Sequence, residues 1–132
     1  MRLTRRGEYA LRAVLELAML EDGSLARSHE IAESHDIPPK FLPQIVNALA
    51  HAGLVETVRG ASGGIRLAKP ACEITVGEIV EIIDGPVALN NCLIADKACS
   101  RSGDCPLAPV WERAQHAMMG VLQGTTLADL AR

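Results

Sequence analysis

Apolar residues recur along this chain at a period that changes, and each change marks an element. From Thr4 the positions Tyr9, Leu11, Val14, Leu15 and Ala18 follow helical spacing, and Thr4 is placed to cap the first turn. Glu21 to Arg27 reads as a turn. Ser28 is then positioned to cap a short helix, His29 to His35, with Ile31 and Ala32 inward. Asp36-Ile37-Pro38 breaks it, and Pro39 opens a second helix with the apolar set Phe41, Leu42, Ile45, Val46 and Leu49. Gly53 is a good left-handed end for that helix.

The period then falls to two. Leu54 to Val58 alternates as a strand, Arg59 to Gly64 makes a flexible tip, and Ile65-Arg66-Leu67-Ala68 returns. Thr75-Val76-Gly77-Glu78 is a capping box that starts a helix with Val76, Ile79, Val80 and Ile83 facing a core, ended by Asp84-Gly85-Pro86. The longest helical pattern runs from Pro106 to Gln123. There Leu107, Trp111, Ala114, Met118 and Val121 recur at spacings of four and three, a heptad seam widened by Val110, Ala117 and Leu122. Thr126 to Asp129 predicts one more capped turn.

This pattern predicts a mainly α fold: a winged helix-turn-helix with a small β-hairpin wing and a long C-terminal dimerisation helix. The expected division is a winged-helix DNA-binding domain over 1–84, a cysteine-rich loop over 85–105, and the dimerisation helix with its C-terminal turn over 106–132. A winged helix complete by about residue 84 leaves the heptad helix free for a symmetric contact between two copies.

Composition narrows the function. The 132 residues are 48% apolar and 22% charged, as expected of one globular unit. No apolar run is long enough to span a bilayer, and the N-terminal pattern begins with Arg5 and Arg6 without a cleavage site. A cytoplasmic protein without a membrane partner is therefore expected. The net charge of −3 does not advertise nucleic-acid binding, but it is uneven. Residues 1–70 hold nine Lys/Arg against eight Asp/Glu, and residues 71–132 hold four against eight. The cations therefore count by position.

Arg2, Arg5 and Arg6 cluster at the start of the first helix, as a solvated face or as phosphate contacts. At the wing, the Gly60 backbone can approach a phosphate chain closely, and Arg59 can enter a narrow minor groove. Tyr9, Phe41 and Trp111 are the only aromatic residues, too few for a single-strand stacking platform. No nucleophile–base pair, phosphate-binding glycine loop or paired-carboxylate motif is present, so an enzyme is not expected. Glu8 stands four residues before Arg12, the spacing of a surface ion pair.

The stretch CLIADKACSRSGDC, Cys92 to Cys105, holds three of the four cysteines. Six residues separate Cys92 from Cys99, and five separate Cys99 from Cys105, with Ser100, Gly103 and Asp104 making a polar loop. Three thiols on one loop can converge on one centre. Thiolates suit iron–sulfur clusters and zinc. Cys105 precedes a helix opened by Pro106, where the positive end of the dipole favours an anionic ligand. The loop lacks the CxxC pairs of structural zinc sites, and three clustered thiols cannot pair completely as disulfides. An iron–sulfur cluster, zinc and free redox-active thiols all stay open on spacing alone. Cys72, twenty residues before Cys92 and close to Pro70, reads as a lone buried thiol.

Taken together, MRLTRRGEYALRAVLELA, PPKFLPQIVNALAHAGLVETVRG, GGIRLAKP, ITVGEIVEIIDG and the three-cysteine loop resemble the iron–sulfur winged-helix transcription regulators of the IscR, NsrR and RirA types. The similarity spans essentially the whole chain. It implies a homodimeric repressor-like regulator on palindromic double-stranded promoter DNA. It also implies a labile 2Fe–2S or 4Fe–4S cluster, sensing iron, redox state or nitric oxide, with Cys92, Cys99 and Cys105 as ligands. In the IscR type a histidine follows the last cysteine by three residues, and here that position is Ala108. Other branches use an acidic residue of the partner's first helix, a position held here by Glu8, with His116 and Asp104 as alternatives. On the recognition helix the resemblance points to Lys40, Gln44 and Asn47, and Gln44 can pair bidentately with adenine. Pro43 stands where several relatives carry a polar residue. The other readings are a thiol-based regulator without a cluster and a zinc-containing winged-helix interaction module.

Overall fold

Coiling begins where a side chain replaces the missing backbone partner. Thr4 is extended, and its hydroxyl accepts from Gly7 N at 3.1 Å, opening α1 at Arg5–Ala18. The computed structural model describes residues 2–21, 24–89 and 105–131. Behind α1 come α2 (Ser28–Ser34), α3 (Leu42–His51), β1 (Val55–Val58), β2 (Gly64–Leu67), a 3-10 turn (Ala71–Glu73), α4 (Val76–Asp84), α5 (Ala108–Gly124) and α6 (Leu127–Leu130). Mainly helical with one antiparallel hairpin, this is the winged helix expected from the periodicity.

Several boundaries differ from the sequence expectation, each for a local reason. The cap of α2 is Arg27, without a side-chain bond, and Ser28 is already helical. Residues 39–41 form a turn closed by Phe41 N to Pro38 O at 3.0 Å, so α3 starts at Leu42 rather than Pro39. Pro43 then occupies the first turn, where a missing N–H costs nothing. Likewise Pro106 and Leu107 form a turn, and α5 starts at Ala108 with Pro109 in its first turn. Gly53 ends the α3 segment as expected, with φ +82°.

One core serves nearly all these elements. Ala10, Val14 and Leu17 of α1 meet Ile31 of α2, Leu42, Ile45 and Leu49 of α3, and Ile79 and Ile83 of α4, all buried. The deepest stripe of α1 is Gly7, Ala10, Ala13, Val14 and Leu17, while Tyr9, Leu11, Leu15 and Ala18 are half-buried. The reason is that α1 is the central helix, touching α2, α3, α4, α6 and β2, so small residues lie deepest and its flanks are partly covered. A direct tie fixes its start: Thr4 N donates to Asp84 Oδ2 at 3.2 Å, and the Thr4 hydroxyl donates to Asp84 Oδ1.

The hairpin pairs Val55 with Leu67 and Val58 with Gly64. A third segment joins it. Ala26 exchanges both backbone bonds with Ile65, N to O at 2.9 and 2.7 Å. The C-terminal turn also returns to this core. Leu127 is 1% exposed, Leu127 N donates to Ile74 O at 2.9 Å, and Val76 N donates to Thr125 O at 2.9 Å. A reciprocal capping box between Thr126 and Asp129 holds α6.

By contrast α5 has no buried residue. Val110 is 51% and Val121 67% exposed. Among the described residues no helix is long and apolar enough to cross a membrane.

Candidate nucleic-acid interface and cysteine loop

The bend between α2 and α3 is carried by Asp36, whose φ of +53° is the left-handed conformation that Asp tolerates better than most residues. Beyond it, the inward face of α3 is Leu42, Ile45 and Leu49, which leaves Gln44 and Asn47 exposed three residues apart on the outer face. Lys40 lies in the turn before the helix, its ammonium 5.3 Å from the Phe41 ring centre. Phe41 in turn meets Tyr9 of α1 at 5.6 Å between ring centres. The start of α3 is therefore clamped to α1 through an aromatic pair.

Two further bonds join α1 to the bend. Glu16 Oε2 lies 3.1 Å from His35 Nε2, and Arg12 donates to the His35 carbonyl at 3.4 Å. This corrects the expected Glu8–Arg12 pair: Arg12 reaches across to a buttressing carbonyl, and Glu8 makes no ion pair among the described residues. Glu8 is exposed and lines, with Arg2, Leu3, Thr4 and Arg5, a hollow of about 430 Å³ at the start of α1. Arg2 and Arg5 are exposed there, whereas Arg6 is half-buried with its Nε enclosed.

At the wing, Arg66 is neutralised by Glu56 directly opposite on β1. Arg59 is exposed and makes no ion pair among the described residues. Gly60 has φ +109°, and the glycines after it allow close backbone approach. A Cβ on Gly63 would fall 2.0 Å from Val58 O, and one on Gly64 2.6 Å from Ala26 O. Arg27 Nη2 donates to Ala61 O at 2.8 Å, across 34 residues.

The cysteine loop is described at its two roots. Before it, the Gln115 amide of α5 donates to Val87 O and accepts from Leu89 N at 2.7 Å, fastening the entering strand of chain to α5. After it, Cys105 is half-buried and its carbonyl accepts from Ala108 N at 3.2 Å. The cap of α5 is Leu107, so Cys105 stands two residues ahead of the cap rather than at the helix end. Cys92, Cys99 and Asp104 lie outside the described residues. Among the described residues no three His, Cys, Asp or Glu side chains converge on a metal-sized point, and His116 is exposed on α5. Cys72 is exposed, not buried as expected: the 3-10 turn after Pro70 stays at the surface, and Ile74, 1% exposed, takes the core place.

Sequence periodicity marked α3 and the wing, and the resemblance pointed to Gln44 and Asn47, but neither pointed to Arg27, Asp84 or Gln115. Each of these acts through a bond between residues far apart in the chain, which leaves no periodic trace.

A helix-turn-helix with an exposed outer α3 face, followed by a glycine-tipped hairpin, defines a winged-helix DNA-binding protein. Within that class the chain belongs to the Rrf2 family, described as iron-dependent transcriptional regulators, whose profile matches residues 3–132. It is 38% identical over 133 residues to the protein aau3 of Rhizobium meliloti (strain 1021), covering 100% of this chain and 86% of that one. The structure of CymR, the global cysteine regulator of B. subtilis, is similar at a TM-score of 0.85 and 32% identity, covering 99% of this chain and 96% of that one. IscR of T. potens is similar at a TM-score of 0.76 and 29% identity, covering 98% and 85%. The chain is thus a transcriptional regulator of the Rrf2 type, acting on DNA rather than as an enzyme.

Proposed function

We propose that this protein is a cytoplasmic homodimeric regulator, acting as a repressor, whose promoter binding is controlled by a labile iron–sulfur cluster. The observation that carries the reading is the three-cysteine loop rooted on α5 in a chain of this family. Cys92, Cys99 and Cys105 supply the thiolates, and Glu8 of the partner subunit supplies the fourth ligand. The exposure of Glu8, and its lack of an ion pair among the described residues, support that role. When bound, the cluster supplies a centre that oxygen, nitric oxide or iron shortage can degrade. A carboxylate is a harder donor than a thiolate and holds iron less tightly, so Glu8 is the weak point of the set.

Gln44 and Asn47 read bases in the major groove, and Lys40, Arg2, Arg59 and Gly60 meet the backbone or the minor groove. Exposed Val110 and Val121 on α5, with Leu107 just before it, support a two-fold contact there. Two reading heads would then meet half-sites one helical turn apart, ~34–36 Å. Glu8 sits on the helix that buttresses the start of α3 through Tyr9–Phe41 and the end of α2 through Arg12–His35. Gain or loss of its bond to the loop would therefore shift the helix-turn-helix.

A second reading, a thiol-based regulator without a cluster, is favoured by the likeness to a global cysteine regulator. Anaerobic purification separates the two. Brown protein with bound iron and acid-labile sulfide is the expected result. Colourless protein without iron, still binding duplex DNA in a thiol-dependent way, would establish the second reading instead.

A further inference from the structure

The tip of the wing, residues 59–63, is exposed or half-exposed throughout, and glycines leave it conformationally free. Inside the tip one backbone bond is made, Gly63 N to Gly60 O at 3.0 Å. The base of the wing is far better fixed. Ala26 exchanges both backbone bonds with Ile65, and Gly64 lies so close to Ala26 O that any side chain there would collide. The residue after Ala26 is Arg27, whose guanidinium leaves this fixed base and donates to Ala61 O at 2.8 Å. Arg59 lies two residues before Ala61.

We propose that Arg27 is a wing-positioning residue: its bond to the Ala61 carbonyl holds the tip at the angle that delivers Arg59 to DNA. The physical role is to meet the ordering cost of a glycine-rich tip before binding rather than during it. The inference rests on the DNA reading of the wing given above. It differs from the simpler role for an exposed arginine, a phosphate contact of its own.

The two roles separate in a double-mutant cycle with Arg27→Met, Arg59→Ala and the pair together. The probe is a duplex selected by the wild-type protein from a randomised pool, titrated across a salt series. Hydrogen exchange of the amides of residues 59–64 is followed in parallel on free protein. Arg27→Met is expected to weaken binding roughly three- to tenfold, the worth of one hydrogen bond. In the Arg59→Ala background its cost is expected to shrink to the part carried by the uncharged Gly60 backbone contact, with no change of salt slope, and wing exchange is expected to speed up. Additive losses, with the salt slope falling by about 0.9 again in the Arg59→Ala background, would make Arg27 a phosphate contact and overturn the proposal. Unchanged wing exchange would overturn it as well. A wild-type protein that selects no duplex would remove the DNA reading itself. Faster wing exchange in that case would still locate the failure in the DNA reading and not in the anchor.

Discussion

Asp36 bends the helix-turn-helix at a cost that a different residue would change. A left-handed φ of +53° strains any residue with a Cβ, and a β-branched one most. Asp36→Ile is expected to lose about 1–2 kcal/mol, while Asp36→Gly keeps or raises stability. Urea denaturation reads both, and equal stabilities would mean the bend is not strained. At the same scale, sequence spacing was a poor guide to pairing. Glu8 and Arg12 have helical i, i+4 spacing, but Arg12 turns instead to the His35 carbonyl at the bend. Cys72 misled for a related reason: residue type alone favours burial of a free thiol and gives no hint that its turn lies at the surface.

Elements were legible wherever one face repeats. Thr4 and Thr75 cap α1 and α4 as their positions suggest, and Gly53 ends α3. The Glu78 carboxylate reaches Lys69 Nζ at 3.8 Å instead of completing a capping box. On α5 the heptad seam is refined by exposure, since Trp111 and Met118 are half-buried in their own chain while Val110 and Val121 stand out. Val110→Glu with Val121→Glu should therefore give a folded monomer by sedimentation, because like charges would meet across a two-fold axis. A folded dimer would place the contact elsewhere. The short α6 makes a different case. Its four residues are too few for independent stability, but Leu127 is 1% exposed inside the main core. Leu127→Ala should cost about 2–5 kcal/mol, as a core truncation does. A loss below about 0.5 kcal/mol, the usual surface value, would show that α6 is an appendage.

Across the whole molecule, α1 joins the two ends of the proposed switch. Its start carries Glu8 and the tie from Thr4 to Asp84, and its middle braces the helix-turn-helix through Tyr9, Arg12 and Glu16. A bond from Glu8 to the partner's loop would couple to DNA affinity by typically ~1–3 kcal/mol, and the coupling must be reciprocal. Glu8→Ala is expected to speed cluster loss and to reduce the difference in DNA affinity between holo and apo protein at one salt concentration. Equal holo and apo affinities in the wild type, with cluster lifetime unchanged by Glu8→Ala, would sink both the switch and the ligand assignment. The sequence by itself determined the winged helix, because apolar period, caps and turn residues are local signals that all agree here. It also marked α3 and the glycine tip as the surfaces proposed here to read DNA. Tertiary structure alone decided that Ala26 extends the wing, that Arg27 holds its tip, that Gln115 fastens the root of the cysteine loop, and that Leu127 closes the core. Those contacts join residues dozens of positions apart. Which partner a side chain or an edge carbonyl finds depends on how the helices pack, and no local pattern encodes it.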